Sequence, residues 1–287
     1  MRDILTSPRA TEINRRRRTR RVRLLILILI LVISLGGALA YFSADRHVTI
    51  NTIIVTGNKF ISTNDVQTLI QKDISGRYLH LFARANSLIY PQSKIYNDLI
   101  STFTRIEHVT ISRDNLNTLH ISIVERSGIY LYCGPQIPIL TSDIGENCYF
   151  VNSDGYIFDK APYFSGDVYF KYYAPLQDDT NQVLGKQILT PTIFHTVQKF
   201  IAGVTALGFV PTDIVVSSNE DYVLHLASSA LIVPTMMFNH DDDLLTILDN
   251  LRLSMQKPEF ANSIKEKYAT LQYIDLRFKN KVLYKFN

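Results

Sequence analysis

Four patterns in this 287-residue chain could carry chemistry, and they point to three kinds of it. Ser254-Met255-Gln256-Lys257 has the Ser-x-x-Lys spacing in which a lysine assists a serine nucleophile during acyl transfer, and Ser217-Ser218-Asn219 has the Ser-x-Asn form that accompanies it. The two occur in the reverse of the order such enzymes use, and the sequence has no Lys-Thr-Gly or Lys-Ser-Gly triplet to complete the set. His240, Asp241, Asp242 and Asp243 offer metal-binding side chains. Consecutive residues on a forming helix point in different directions, however, and carboxylates at the positive end of a helix dipole explain them more simply. His47, His80, His108, His120, His195 and His225 show no paired spacing, and there is no Gly-rich phosphate loop and no Gly-x-Ser-x-Gly elbow. The sequence therefore assigns no catalytic residue, no metal and no cofactor. Binding is the default role, and an exported hydrolase or transferase with an unfamiliar site is the alternative.

The fourth pattern is covalent. Cys133 and Cys148 enclose 14 residues, flanked by the strand-like runs Ile129-Tyr130-Leu131-Tyr132 and Tyr149-Phe150-Val151 of a hairpin. A disulfide is sterically plausible there and would stabilise by about 3 kcal/mol on a chain-entropy estimate. Two reduced thiols are the other reading. Neither residue has a Cys-x-x-Cys partner or a His neighbour, which argues against zinc.

These residues must be positioned by something, and the charge pattern says where. Residues 1–23 hold nine Arg against Asp3 and Glu12, a net +7, so the remaining 264 residues carry −3 of the overall +4. The basic character belongs to a tail, which argues against a globular nucleic-acid surface. Residues 24–42 then run without a charge for 19 positions. As a helix rising 1.5 Å per residue they reach roughly 28 Å, close to the hydrocarbon thickness of a bilayer. With the Arg cluster on one side and Asp45, Arg46 and His47 on the other, the positive-inside bias places the tail in the cytoplasm and the bulk of the chain outside. Ala38-Leu39-Ala40 has the small-x-small form of a signal-peptidase site, but the apolar run is longer than the roughly 7–15 residues of a signal sequence, favouring a retained anchor in the lipid bilayer.

Hydrophobic residues at 46% and charged residues at 20% leave ample core material for the exported part, and exclude a disordered or collagenous chain. Residues 48–55 alternate as a strand with Val48, Ile50 and Ile54 on one face, and Gly57-Asn58 turns. Ser62-Thr63-Asn64-Asp65 resembles a capping box before a helix whose apolar stripe is Val66, Leu69 and Ile70. Pro91 can open a second helix carrying Ile95, Leu99, Ile100 and Phe103. Strands over residues 106–112 and 118–125 follow, joined by Asp114-Asn115-Leu116-Asn117. The order is β-α-α-β-β, a small sheet with two helices on one face.

Val55-Thr56-Gly57-Asn58, the helix pair, and Thr118-Leu119-His120-Ile121-Ser122-Ile123-Val124-Glu125-Arg126 resemble the POTRA module of the bacterial cell-division proteins FtsQ and DivIB. The family layout is a basic cytoplasmic tail, one membrane helix, a POTRA domain and a β-rich domain. The corresponding spans here are 1–23, 24–42, 48–126 and 127–287. Cys148-Tyr149-Phe150-Val151-Asn152-Ser153-Asp154-Gly155-Tyr156-Ile157-Phe158 reads as a hairpin around Asp-Gly and is similar to a family hairpin, with Asn152 where Asp is more usual. Thr190-Pro191 caps and opens a helix with Ile193, Phe194, Val197, Phe200, Ile201, Val204 and Leu207 as its apolar positions, ending at Gly208. Strands are expected over residues 213–216, 222–226 and 230–233, then an amphipathic helix with Leu244, Leu245, Ile247, Leu248 and Leu251. Leu271-Gln272-Tyr273-Ile274-Asp275-Leu276-Arg277-Phe278, a turn at Lys279-Asn280 and a strand over residues 282–286 close the chain. The fold class is α+β.

The resemblance implies a non-enzymatic scaffold of the division machinery at the septum, single-pass in the cytoplasmic membrane, with FtsB- or DivIC-type and FtsL-type proteins as partners. It also implies that the POTRA domain meets other division proteins, and it places partner binding at the final strand and the segment before it. Here these are Asp275, Leu276, Arg277 and Phe278, then Lys281, Val282, Leu283, Tyr284 and Lys285. A terminal strand with a bare edge would bind by strand addition, with Phe278 as an anchor and Arg277 receiving a carboxylate. Strand alternation puts Asp275 and Arg277 on one face and Leu276 and Phe278 on the other, so one of those pairs should be structural. A transport component is the remaining alternative; it would carry tandem POTRA repeats or a barrel, and the sequence shows one copy and two strong helical patterns after residue 126.

Overall fold

The uncharged run and the arginines before it form one helix, α1 (Pro8–Ser43), because no proline interrupts the hydrogen-bond ladder after its first residue, and leucine and isoleucine dominate the uncharged run. Its Arg18–Ser43 portion is long and apolar enough to cross a membrane. The computed structural model describes residues 8–137, 147–164, 166, 168–176, 182–217, 221–230, 232–278 and 281–287, with side chains from residue 18 onward. The expected turn at Lys279-Asn280 lies outside the described residues. The chain divides into two compact units, Met1–Glu125 and Arg126–Asn287.

In the first unit, after α1, come β1 (Thr52–Thr56), α2 (Thr63–Ile74), a two-strand hairpin of β2 (Arg77–Tyr78) and β3 (Phe82–Ala83), α3 (Gln92–Thr102), β4 (Ile106–Arg113) and β5 (Thr118–Glu125). The sheet order is β1-β5-β4, with β1 parallel to β5 and β4 antiparallel to it. A parallel pair needs a crossover, and the helices supply it. They pack Val66, Ile70, Ile74, Ile95 and Leu99 against Ile53, Ile106, Leu119, Ile121 and Ile123. The strand phase at the start differs from the alternation read from sequence. Ile53 and Val55 face the core while Ile54 is exposed. Residues 48–51 do not continue β1: Ile50 N–H bonds Ala85 O, Val48 O accepts from Ser87 N–H, and the Asn51 and Thr52 N–H groups share Asn117 O, which offsets the alternation. Nor does Ser62 cap α2 through its side chain. The turn before α2 is organised instead by Asn58, whose amide donates to Ile61 O and Thr63 Oγ1.

Two residues of that turn explain its sequence. Gly57 sits at φ +82°, and a Cβ there would lie 2.1 Å from the Ile123 carbonyl oxygen, so the turn closes onto β5 only with glycine. Glu125 Oε1, at the far end of β5, accepts the N–H groups of Lys59 (2.6 Å), Phe60 (2.9 Å) and Ile61 (3.0 Å). Burial works against its charge, but those three donors and Arg105 outweigh it and hold the carboxyl below its usual range.

The second unit contains β6 (Tyr130–Tyr132), β7 (Tyr149–Val151), β8 (Ile157–Lys160), β9 (Lys171–Tyr173), α4 (Pro191–Ala206), β10 (Pro211–Val216), β11 (Tyr222–Leu226), β12 (Thr235–Phe238), α5 (Leu244–Met255), α6 (Pro258–Lys267), a 3-10 turn (Tyr268–Thr270), β13 (Leu271–Asp275) and β14 (Leu283–Phe286). All nine strands join one mixed sheet in the order β14-β13-β12-β11-β10-β9-β6-β7-β8. Phe194, Val197, Phe200, Ile201 and Val204 of α4 and Leu244, Ile247, Leu248 and Leu251 of α5 cover one face, over Ile214, Tyr222, Leu224, Met236 and Ile274. Ile193, expected in that stripe, is exposed. The strand expected at residues 230–233 forms instead as β12, because Leu226 N–H bonds Pro234 O and sets the pairing with β11 to begin at Thr235↔His225.

At the other end of the sheet, Cys133 and Cys148 are joined in a disulfide beside the β6–β7 pair. The Asp154-Gly155 hairpin links β7 and β8. Asn152 Oδ1 accepts from Asp154 N–H (3.0 Å) and Tyr156 N–H (2.9 Å), so an amide oxygen does here what a carboxylate could. Gly155, at φ +82°, leaves room for the Phe194 ring.

Candidate functional site at the C-terminal sheet edge

The last two strands owe their position to the helices before them. Asp243 caps α5, its carboxylate accepting from Leu245 N–H and Thr246 Oγ1–H. Pro258 opens α6, which the sequence reading missed because only Phe260 and Ile264 of its ten residues turn to the core. This helix pair returns the chain to start β13 parallel to β12. β14 then folds back antiparallel, in the register Tyr273↔Lys285, Ile274↔Tyr284 and Asp275↔Leu283.

β14 is the end of the sheet, and among the described residues no strand lies on its outer side. Leu283, Tyr284 and Lys285 are exposed. Tyr284 packs edge-on against Phe260 of α6 (4.9 Å between ring centres) and against Phe286 (5.5 Å), placing those residues on the helix-covered face and Leu283 and Lys285 on the other. Val282, just before the strand, rests partly buried against the core.

The segment between the strands divides differently from the simple alternation. Asp275 and Leu276 are both buried, because β13 ends at Asp275 and the backbone turns there. The Asp275 carboxylate accepts Arg277 N–H (3.1 Å), Nε–H (2.9 Å) and Nη2–H (2.7 Å). These bonds to Arg277 hold the Asp275 pKa below its ordinary value despite burial, and raise that of Arg277. The pair is thus a bracket that fixes the end of β13, and the Arg277 fork expected to receive a partner's carboxylate is already engaged. Leu276 N–H bonds Met237 O in the next strand. Phe278 is 51% exposed.

Beside this bracket lies a groove of about 280 Å³ that brings Leu276, Phe278, Lys281 and Val282 together with Asp241–Asp243, Thr246, Ile247 and Asn250. The acidic triplet was read from sequence only as dipole compensation. Asp243 does serve α5 in that way, while Asp242 takes the Asn239 amide (2.9 Å) and Asp241 faces His240 (2.9 Å). Their place on the groove follows from the return of β13 beside β12, which no local pattern encodes.

The remaining chemical patterns are dispersed. Ser254 Oγ–H donates to Asn250 O at the end of α5, and Lys257 stands before α6, so the Ser-x-x-Lys run spans a helix break. Ser218 and Asn219 lie outside the described residues. Asp213 and His225 meet across β10 and β11 at 2.6 Å, a cross-strand pair that spacing in sequence did not reveal. Among the described residues no cluster of His, Cys, Asp and Glu could hold a metal ion.

Comparison with known proteins adds a family to the first unit. Residues 48–126 match the family described as POTRA domain, FtsQ-type, which spans β1 to the end of β5. No curated protein matches the chain.

Proposed function

We propose that this chain, an FtsQ/DivIB-like, membrane-anchored protein by its FtsQ-type POTRA domain and N-terminal apolar helix, is a non-enzymatic scaffold of the division machinery. In this reading it captures an FtsB- or DivIC-type partner, itself paired with an FtsL-type protein, by strand addition at β14. The observation that carries the proposal is the position of β14 at the end of the nine-stranded sheet with three consecutive exposed residues. An edge of this kind presents unpaired N–H and C=O groups, which a second chain satisfies by lying alongside. Phe278 and the groove at Lys281 and Val282 would receive side chains of the incoming segment.

The orientation belongs to the same proposal: tail in the cytoplasm, residues after the helix outside, the protein gathered at the septum. The nine N-terminal arginines support it through the positive-inside bias. The disulfide supports it because such bonds persist in oxidising compartments. Contacts of the POTRA domain with other division proteins belong to the same proposal, and the FtsQ-type match supports them.

Consecutive residues of an edge strand direct their N–H groups alternately inward and outward. Tyr284→Pro and Lys285→Pro therefore remove one N–H of each kind. Pull-down of the FtsB- or DivIC-type partner should fail for the outward position while circular dichroism shows the domain folded. Wild-type capture by both folded variants refutes strand addition at this edge.

A further inference from the structure

The hairpin of β2 and β3 is fastened to the last turn of α1. Ser43 Oγ accepts Ala83 N–H (3.1 Å), and the Asn86 amide donates to Ser43 O (2.9 Å). Ala40, Ser43, Ala83 and Asn86 are all buried at this junction. Ser43 is also the last residue of the segment able to cross a membrane, so the hairpin is fixed where that segment leaves the bilayer.

What the hairpin displays there is apolar. Leu79 is 85% exposed and Leu88 67%, and Leu81 and Ile89 are exposed as well. The tip is a tight turn in which Leu81 N–H bonds Tyr78 O across Leu79 (φ +48°) and His80 (φ +62°). Two successive positive φ values are the province of Asn and Gly, and a leucine held there is strained without being buried. From Ala83 to Leu79 is four residues, at most about 14 Å of chain, and from Asn86 to Leu88 about 7 Å. The second length matches the 5–8 Å or so of headgroup zone on each side of a bilayer, and the first, an upper bound along a chain that turns at its tip, is enough to cross it. Arg77 and Arg84 flank the tip, and no acidic residue occurs between positions 77 and 90, so the segment complements anionic phosphate. Tyr41, exposed at the end of α1, is of the amphipathic aromatic type found at that depth.

We propose that this hairpin, with Leu88 and Ile89, is an interfacial anchor. The leucines enter the boundary between headgroups and acyl chains of the leaflet that α1 leaves, with the two arginines at the phosphates. The first unit would then be held to the bilayer at two places and would not swivel on residues 44–51.

The sequence contains no Trp, which makes the test direct. The full chain is reconstituted in phosphatidylethanolamine–phosphatidylglycerol vesicles as single variants Leu79→Trp, Leu88→Trp, Leu29→Trp inside the span and Val124→Trp near the far end of β5. The vesicle lipids are brominated either near the headgroup or near the chain end. Leu29→Trp should lose emission to deep bromine, Leu79→Trp and Leu88→Trp to shallow bromine, and Val124→Trp to neither. Leu88 lies outside the strained turn, so its variant reads independently of any disturbance at the tip. If Leu79→Trp and Leu88→Trp both emit like Val124→Trp while Leu29→Trp is quenched, the anchor is refuted. Blue-shifted emission at both hairpin positions without bromine quenching refutes it too, since a protein surface would then cover them. Failure of Leu29→Trp to quench overturns the span and the anchor together.

Discussion

Replacing Glu125 by Gln should loosen the POTRA domain and leave the second unit untouched. One oxygen of Glu125 takes three backbone N–H groups, and its side chain is only 5% exposed, so water does little to screen them. Hydrogen bonds to a charged group contribute about 1.5–3 kcal/mol each and neutral ones about 1. Glutamine keeps an oxygen in place but not the charge, a difference of about 0.5–2 kcal/mol per donor; because the three donors share one oxygen their losses do not add in full, and about 2–3 kcal/mol is expected for the set. At about 1.4 kcal/mol per decade this is roughly a 30- to 150-fold increase in opening. Hydrogen exchange of the full chain in detergent near pH 6 reads it directly, as reduced protection in peptides from residues 48–126 and unchanged protection in peptides from 127–287. The pH dependence follows from the lowered carboxyl pKa. Stability contributed by the charge is complete above the unfolded value near 4.3 and is lost as pH falls through the lower folded value, so the two proteins should converge in acid. Wild-type protection in the Gln variant at pH 6, or equal loss in both units, refutes the reasoning.

Two further outcomes are expected of the second unit. Cys133→Ser with Cys148→Ser should lower its stability by about 3 kcal/mol, the chain-entropy value for a loop of this length, as a reduced midpoint in denaturant. Gly155→Ala should cost about 1–3 kcal/mol, because the added Cβ would lie 2.7 Å from the Phe194 ring at a φ of +82°; hydrogen exchange around the β7–β8 hairpin would show it first.

The extent to which the sequence was legible depends on the range of the forces involved. Where periodicity acts alone the reading holds closely: Leu119, Ile121 and Ile123 alternate inward as written, and Phe194, Val197, Phe200, Ile201 and Val204 line one side of α4. Where a distant hydrogen bond sets the phase, it does not. Asn117 O offsets the start of β1, and Pro234 O delays β12 past the apolar run at residues 230–233. α6 escaped because two buried side chains in ten residues make too narrow a stripe to stand out. At the sheet edge, the existence of a last strand was readable from its alternation. The Asp275–Arg277 bracket was not, since it depends on where β13 stops. The groove was not either, because its acidic wall and its apolar floor come from segments some 30 residues apart.

The two margins of the large sheet are unlike each other. Beyond β8 the backbone of residues 185–187 is already engaged, with Ile157 N–H on Lys186 O and Gly185 N–H on Ile157 O. β14 has no such cover among the described residues. If β14 receives a partner strand as proposed, this sheet takes it at that margin, and capture there should saturate at one equivalent. Two copies meeting β14 to β14 would then each occupy the other's edge, so self-pairing and capture of another subunit would exclude one another, and local crowding would set the balance between them.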